Sequence, residues 1–326
     1  MISQFRNFNP FNIFLLVIIT FALRLGILAD LPPRLDFEII EPFGKLLIAI
    51  PTEDLFTPLQ NVLLAAVIVI IQALLFNRVV NNHSLLSKPT WLPALLYVTL
   101  SSLFFPFLEL SPALICNFLM IWMINHYLGI HKHGRVLSVM YDTGMVIAIG
   151  TIIYFPFIVM VLTLWLCLII FRPFSWREWV SGIVGFATIF FFIAVFYYWN
   201  DALDKFYGIW LPLTSTFPTR LNINLHDYLL LIPVAVILFL GFLQLRQKFF
   251  RSFVQVRKSF QLLFLMFVVA LVSFYLKRDY PVYHFILCVP MAAVLMAYYF
   301  LNATVKWFYE SLYLILVAAI VYFQFF

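Results

Sequence analysis

The chain has 326 residues, of which 65% are hydrophobic, 19% aromatic and only 10% charged. A water-soluble domain carries about 25% charged residues, so a chain this apolar cannot cover its surface with polar groups and lipid is the solvent that suits it. The net charge of +6 does not point to nucleic acid, because the basic residues sit between apolar runs, where they report topology and anionic headgroups.

Taken in chain order, the apolar runs predict an all-α, polytopic transmembrane bundle forming one integral-membrane domain over residues 1–326. The predicted spans lie near 11–29, 57–77, 91–109, 112–129, 143–156, 157–171, 179–199, 228–245, 259–276, 282–302 and 308–326, about eleven in all. The fifth and sixth are short and meet at Pro156 as a helical hairpin. The first run lacks an A-x-A-type cleavage site and reads as a retained helix. Placing the N-terminus inside puts thirteen basic residues in cytoplasmic segments and six outside, with Arg24 inside the first span. That bias sets an N-in, C-out orientation. Cys116, Cys167 and Cys288 all fall in apolar spans and read as small core residues.

Between the first two spans, residues 30–56 hold six acids: Asp30, Asp36, Glu38, Glu41, Glu53 and Asp54. Such a cluster can repel, hold a divalent cation through oxygen ligands, place a general base, or simply be solvated. Pro42 is placed to start a short interfacial helix, and Thr52 to cap the helix that enters the second span. Arg24, in FALRLGILAD, has two readings: it snorkels to the nearby boundary, which is favoured, or it pairs with an acid or phosphate inside the bundle.

Further along, Glu109 sits among apolar residues in FFPFLELSP, where an ionisable group is costly. Asp142, in YDTG, reads as a helix cap. FRPFSWREWV, with Arg172, Trp176, Arg177 and Trp179, reads as a positive-inside aromatic belt, and RQKFFRSFVQVRK as a short cytoplasmic helix on anionic lipid. In LKRDYPVYHFILCVP, Lys277 and Arg278 stand before a span that holds Tyr283, His284 and Pro290. A basic pair there suits a lipid-linked phosphate or an ordinary interfacial anchor. No nucleotide-binding loop, serine-hydrolase elbow or zinc-protease motif is present in the sequence.

The segments RLGILADLPP, PRLDFEIIEPFGK, the Glu109 loop and KRDYPVYHFILCVP together resemble the GT-C superfamily of membrane glycosyltransferases. The chain departs from that family in its short first loop, in lacking an adjacent pair of acids there and in lacking a large soluble C-terminal domain. The resemblance implies sugar transfer from a polyprenyl-phosphate donor at the outer membrane face. It implies Asp36, Glu38 or Glu41 as general base, and Glu109 assisting or holding a divalent cation. Lys277, Arg278 and Arg220 would stabilise the phosphate leaving group, with His284 beside them. The overall pattern, including RPFSWREW, also resembles a family of bacterial polytopic membrane proteins without an assigned activity, which implies the bacterial cytoplasmic (inner) membrane. Two further readings stand beside the enzyme: a transporter of lipids or amphiphiles, and a non-enzymatic membrane subunit of an envelope complex.

Overall fold

The computed structural model describes residues 1–31, 56–130, 136–201, 203–208, 229–248, 253–276 and 282–325. Every regular element among them is helical, and every apolar run predicted from the sequence carries helix. Among the described residues six helices are long and apolar enough to cross a membrane by length and composition. They include α4 (Pro58–Asn82), α7 (Val136–Ile153), α9 (Trp176–Trp199) and α14 (Lys306–Phe325). The other two are α12 (Val254–Val272), continued by a 3₁₀ turn to Leu276, and α13 (Val289–Asn302), preceded by a 3₁₀ helix over Val282–Cys288. Further apolar helices pack with them: α2 (Phe11–Ala22), α3 (Leu25–Ala29), α5 (Leu92–Leu100), α6 (Pro112–Gly129), α8 (Val161–Phe171) and α11 (Leu231–Lys248). α1 (Ile2–Phe5) and α10 (Leu203–Gly208) are single short turns of helix.

The span from Val282 to Asn302 is the axis of the bundle: 94% of its apolar window is buried, against 22% for α9 and for α14. It is packed by α5, α11 and α12. Peripheral helices turn large apolar side chains outward, among them Phe191 and Phe192 on α9, Phe239 on α11 and Ile315 on α14. This is the pattern of a bundle whose solvent is hydrocarbon.

Apolar helices in lipid gain little by hiding from one another, so close packing has to come from small residues. α7 and α9 meet this way. A Cβ added at Gly144 would strike the carbonyl oxygen of Gly182, and one added at Gly185 would strike that of Tyr141. The Tyr141 hydroxyl then donates to Thr188 Oγ1 at 3.2 Å across the same seam.

At one end of the bundle the N-terminal turn is fastened down. Glu310 accepts from the backbone amides of Ile2 (3.1 Å) and Ser3 (2.9 Å) and pairs with the terminal amine at 2.9 Å. Arg6 bonds the carbonyls of Phe300 and Ala303 and lies 4.0 Å from the Tyr309 ring centroid. Trp91 N and Thr90 Oγ1 both donate to Phe5 O.

Several local expectations need correction. α4 starts at Pro58, with Thr57 and Gln60 forming a reciprocal capping box, so Thr57 and not Thr52 caps the second span. The 91–109 run is not one helix. Asp142 lies inside α7, taking a 3.4 Å hydrogen bond from Ser138 Oγ, and caps nothing. Within the 246–258 segment, α11 runs to Lys248 and α12 starts at Val254, and residues 249–252 fall outside the described residues. Arg172 is not a bare anchor but pairs with Glu178 at 3.1 Å. The proposed helix after Pro42 and the HKHGR loop fall outside the described residues.

Candidate functional site

The end of the bundle opposite the N-terminal turn is built from interrupted helices. α5 stops after nine residues. Ser101 Oγ donates back to Tyr97 O at 2.8 Å and Ser102 Oγ to Val98 O at 3.0 Å, closing the last turn with side chains. Pro106 then allows only a 3₁₀ turn over Phe105–Phe107. The chain is caught again at Leu110, whose amide donates to Asn61 Oδ1 at 2.8 Å, and at Ser111, whose Oγ caps α6 through the Leu114 amide at 3.2 Å with Pro112 in the first turn. Glu109 is therefore held in a segment pinned on both sides. It is half-buried and engaged in an interaction of its own.

The Phe105–Phe107 turn packs against the second interruption, Val282–Cys288. Between them, α11 and α12 lies a half-open cavity of about 280 Å³. Phe104, Phe107, Val234, Leu271, Phe285 and Ala292 represent its walls, which among the described residues carry no polar side chain. An apolar cavity of this kind stays dry and accepts apolar ligands. Its size is just below the range of about 300–1,000 Å³ usual for small-molecule sites.

Arg24 sits at the same end. It forms the N-cap position of α3. One turn on, Ile27 packs with Val62 and Leu108. Gly26 is pressed against Gln324, whose Nε2 donates to Ser102 O at 3.2 Å. The guanidinium does not snorkel, as the sequence reading favoured: Arg24 is 0% exposed. Among the described residues nothing accepts a hydrogen bond from its Nε, Nη1 or Nη2, and it forms no ion pair. An unpaired buried charge costs several kcal/mol, roughly, which proteins normally avoid by supplying a partner.

His284 is fully buried beside the cavity wall. The Tyr154 hydroxyl reaches its Nδ1 at 2.8 Å, and its Nε2 meets Ala270 O at 3.0 Å and Ser273 Oγ at 3.1 Å. Both ring nitrogens are thus used within the protein. Nearer mid-bundle, Gln72 Nε2 donates to Leu114 O (2.7 Å) and Gln72 Oε1 accepts from Tyr97 OH (2.9 Å). Asn117 Nδ2 joins them, donating to Tyr97 OH (3.2 Å) and to Ile286 O (2.8 Å), while Asn117 Oδ1 has no partner among the described residues. Thr99 and Tyr313 share a further bond of 3.0 Å. These groups bind helices to one another.

Of the residues singled out from the sequence, Arg24, Glu109 and His284 lie at this end. Asp36, Glu38, Glu41, Arg220, Lys277 and Arg278 fall outside the described residues. Leu276 ends one 3₁₀ turn and Val282 starts the next. Among the described residues no three His, Cys, Asp or Glu side chains gather in a way that could hold a metal ion. The cavity and the Gln72–Tyr97–Asn117 group escaped the sequence reading. The interruptions that create the cavity were signalled by Pro106 in FFPF and Pro290 in FILCVP, each read only as part of a span. No protein-family model, curated protein or solved structure matches the chain.

Proposed function

We propose that this is a membrane protein of eleven spans, N-terminus in and C-terminus out, that binds a lipid-linked phosphate at its outer end. We further propose that it acts there as a GT-C-like glycosyltransferase on a polyprenyl-phosphate-linked sugar in the bacterial cytoplasmic membrane. The observation that carries the reading is Arg24. A wholly buried guanidinium with no acceptor among the described residues calls for an anion, and its planar fork of donors suits phosphate. The apolar cavity at the same end supplies a wall for the attached chain. In the enzyme reading, Asp36, Glu38 or Glu41 takes the proton from the acceptor hydroxyl, and Glu109 assists it or holds a divalent cation. Lys277, Arg278 and Arg220 offset charge on the departing phosphate. A transporter would need a polar path through mid-bundle. The described polar groups there mostly bond to one another, and the cavity lining is apolar, which favours a binding site over a path.

The test is titration of the purified protein with polyprenyl monophosphate, followed by native mass spectrometry. Wild type should bind, and Arg24→Gln should weaken binding by roughly 10–100-fold, the worth of a charge-assisted bond of about 1.5–3 kcal/mol. Ala292→Trp, which fills the cavity, should weaken it too. Glu109→Gln should keep lipid binding and lower sugar transfer, because such a carboxylate acts mainly in the transition state. Equal binding by wild type and Arg24→Gln would remove the lipid-phosphate reading. Binding without transfer from any polyprenyl-phosphate sugar would leave a non-catalytic lipid-binding subunit.

A further inference from the structure

A second cavity, of about 620 Å³, opens towards the end of the bundle that carries the N-terminal turn, between α4, α6 and α7. Its two halves differ in chemistry. Leu75, Phe118, Leu119 and Val146 make an apolar wall, whereas Arg78, Asn82 and Asn125 stand at the polar side. The spacing explains the convergence. Arg78 and Asn82 are four apart in the last turns of α4 and so share a face, and Asn125 lies near the end of α6.

The polar side is made of donors that no described protein group takes up, and Arg78 and Asn82 are exposed. Among the described residues, the Arg78 guanidinium makes no hydrogen bond or ion pair, and neither does the Asn82 carboxamide. Asn125 spends its Oδ1 on accepting from His83 Nε2 at 3.0 Å, which fixes the amide and leaves its NH₂ without an acceptor. Trp122 lies at the same wall, stacked on His126 at a centroid distance of 3.6 Å. Among the described residues no carboxylate belongs to the lining. One full positive charge, two amide donors and an adjoining apolar wall form a receptor for a group that is anionic, acceptor-rich and joined to hydrocarbon.

We propose that this cleft binds a membrane phospholipid, its phosphodiester on Arg78, Asn82 and Asn125 and an acyl chain along Leu75, Phe118 and Val146. The site lies at the opposite end from the Arg24 cavity and does not depend on the function proposed for it. A general basic belt attracts headgroups through summed charge and falls off over a Debye length. This cleft differs in adding amide donors, that of Asn125 held in place by His83, and a shaped apolar wall, and so distinguishes phosphate from other headgroup chemistry.

Delipidated full-length protein titrated with phosphatidylglycerol, or with diacylglycerol of the same chains, tests it by native mass spectrometry. Wild type should retain one tightly held phosphatidylglycerol and discriminate against diacylglycerol. Arg78→Gln should weaken that binding by about tenfold or more, the loss of one charge-assisted contact. Asn125→Leu and Val146→Trp should each weaken it as well, from opposite sides of the cleft. Arg177→Gln removes an exposed charge next to Trp176 outside the cleft and should change nothing. Equal losses for Arg78→Gln and Arg177→Gln would reduce the effect to a charge belt and overturn the proposal. So would retention of diacylglycerol as tight as that of phosphatidylglycerol.

Discussion

The Tyr154 hydroxyl meets Nδ1 of His284 at 2.8 Å in a site with no access to solvent. The Ala270 carbonyl can only accept, so Nε2 of His284 carries the proton and Nδ1 accepts from Tyr154. The bond ties the turn after α7 to the turn that leads into the central span. Tyr154→Phe leaves Nδ1 buried without that donor, at a cost of about 1–3 kcal/mol. The variant should unfold earlier in a denaturant or thermal series in detergent. If His284 contacts substrate, the same variant should also impair ligand binding at concentrations where it remains folded.

The two glycines of α9 should behave differently. A methyl at Gly182 would meet Leu164 Cδ1 at 2.8 Å, the end of a side chain that can swing away. A methyl at Gly185 would run into the backbone of Tyr141, which cannot. Gly182→Ala should therefore be nearly neutral, and Gly185→Ala should destabilise by about 1–3 kcal/mol through overpacking. Gly185→Ala should also weaken the Tyr141–Thr188 bond. Paired thermal melts decide the matter, and equal melting temperatures would mean that the α7–α9 seam yields easily.

Asn61 holds the Glu109 segment through the Leu110 amide at 2.8 Å. Asn61→Leu keeps the volume but removes the acceptor, stranding a buried N–H at about 1–3 kcal/mol. Hydrogen exchange should rise at residues 108–111 while the ends of α6 remain protected. Any activity that depends on Glu109 should fall more than global stability does, because the carboxylate loses its fixed position.

Reporter fusions after residues 85, 175 and 304 should all report the cytoplasm, and fusions after 108 and 325 the outer side. The basic bias motivates this order. So does the shared packing of the first interruption and the Val282–Cys288 turn at one end, with the N-terminal turn, Trp91 and Ala303 at the other. A cytoplasmic signal after residue 325 would mean an even number of crossings, with the α7–α8 hairpin as the first suspect.

Helix content was legible because it depends on long apolar runs and little else. Element ends were less so. The 91–109 run reads as one span by hydropathy, yet Ser101, Ser102 and Pro106 break it, since serines can satisfy backbone carbonyls locally and proline cannot donate. Arg24 was noticed, but whether it reaches water depends on α3 being closed over by Leu108, Val62 and Gln324, contacts between segments far apart in the chain. The same limit hid both cavities, because a wall shared by several helices has no signature within any one of them. The acids and bases that suggested chemistry fall largely outside the described residues, so the lipid-phosphate reading rests on Arg24, to which the enzyme reading adds the resemblance and the neighbourhood of Glu109.

α5 has a consequence for how the protein is made. At nine residues, about 14 Å at 1.5 Å per residue, it is far too short to cross hydrocarbon of about 30 Å alone. All nine residues are buried, and a principal neighbour is α13, which is synthesised nearly two hundred residues later. During that interval the nascent chain carries a stub whose final partner does not yet exist. α4, already in place and already packed on α5, is the element that can shelter it. Assembly then has a waiting step: the early helices form an open cleft, and the arrival of α13 closes it.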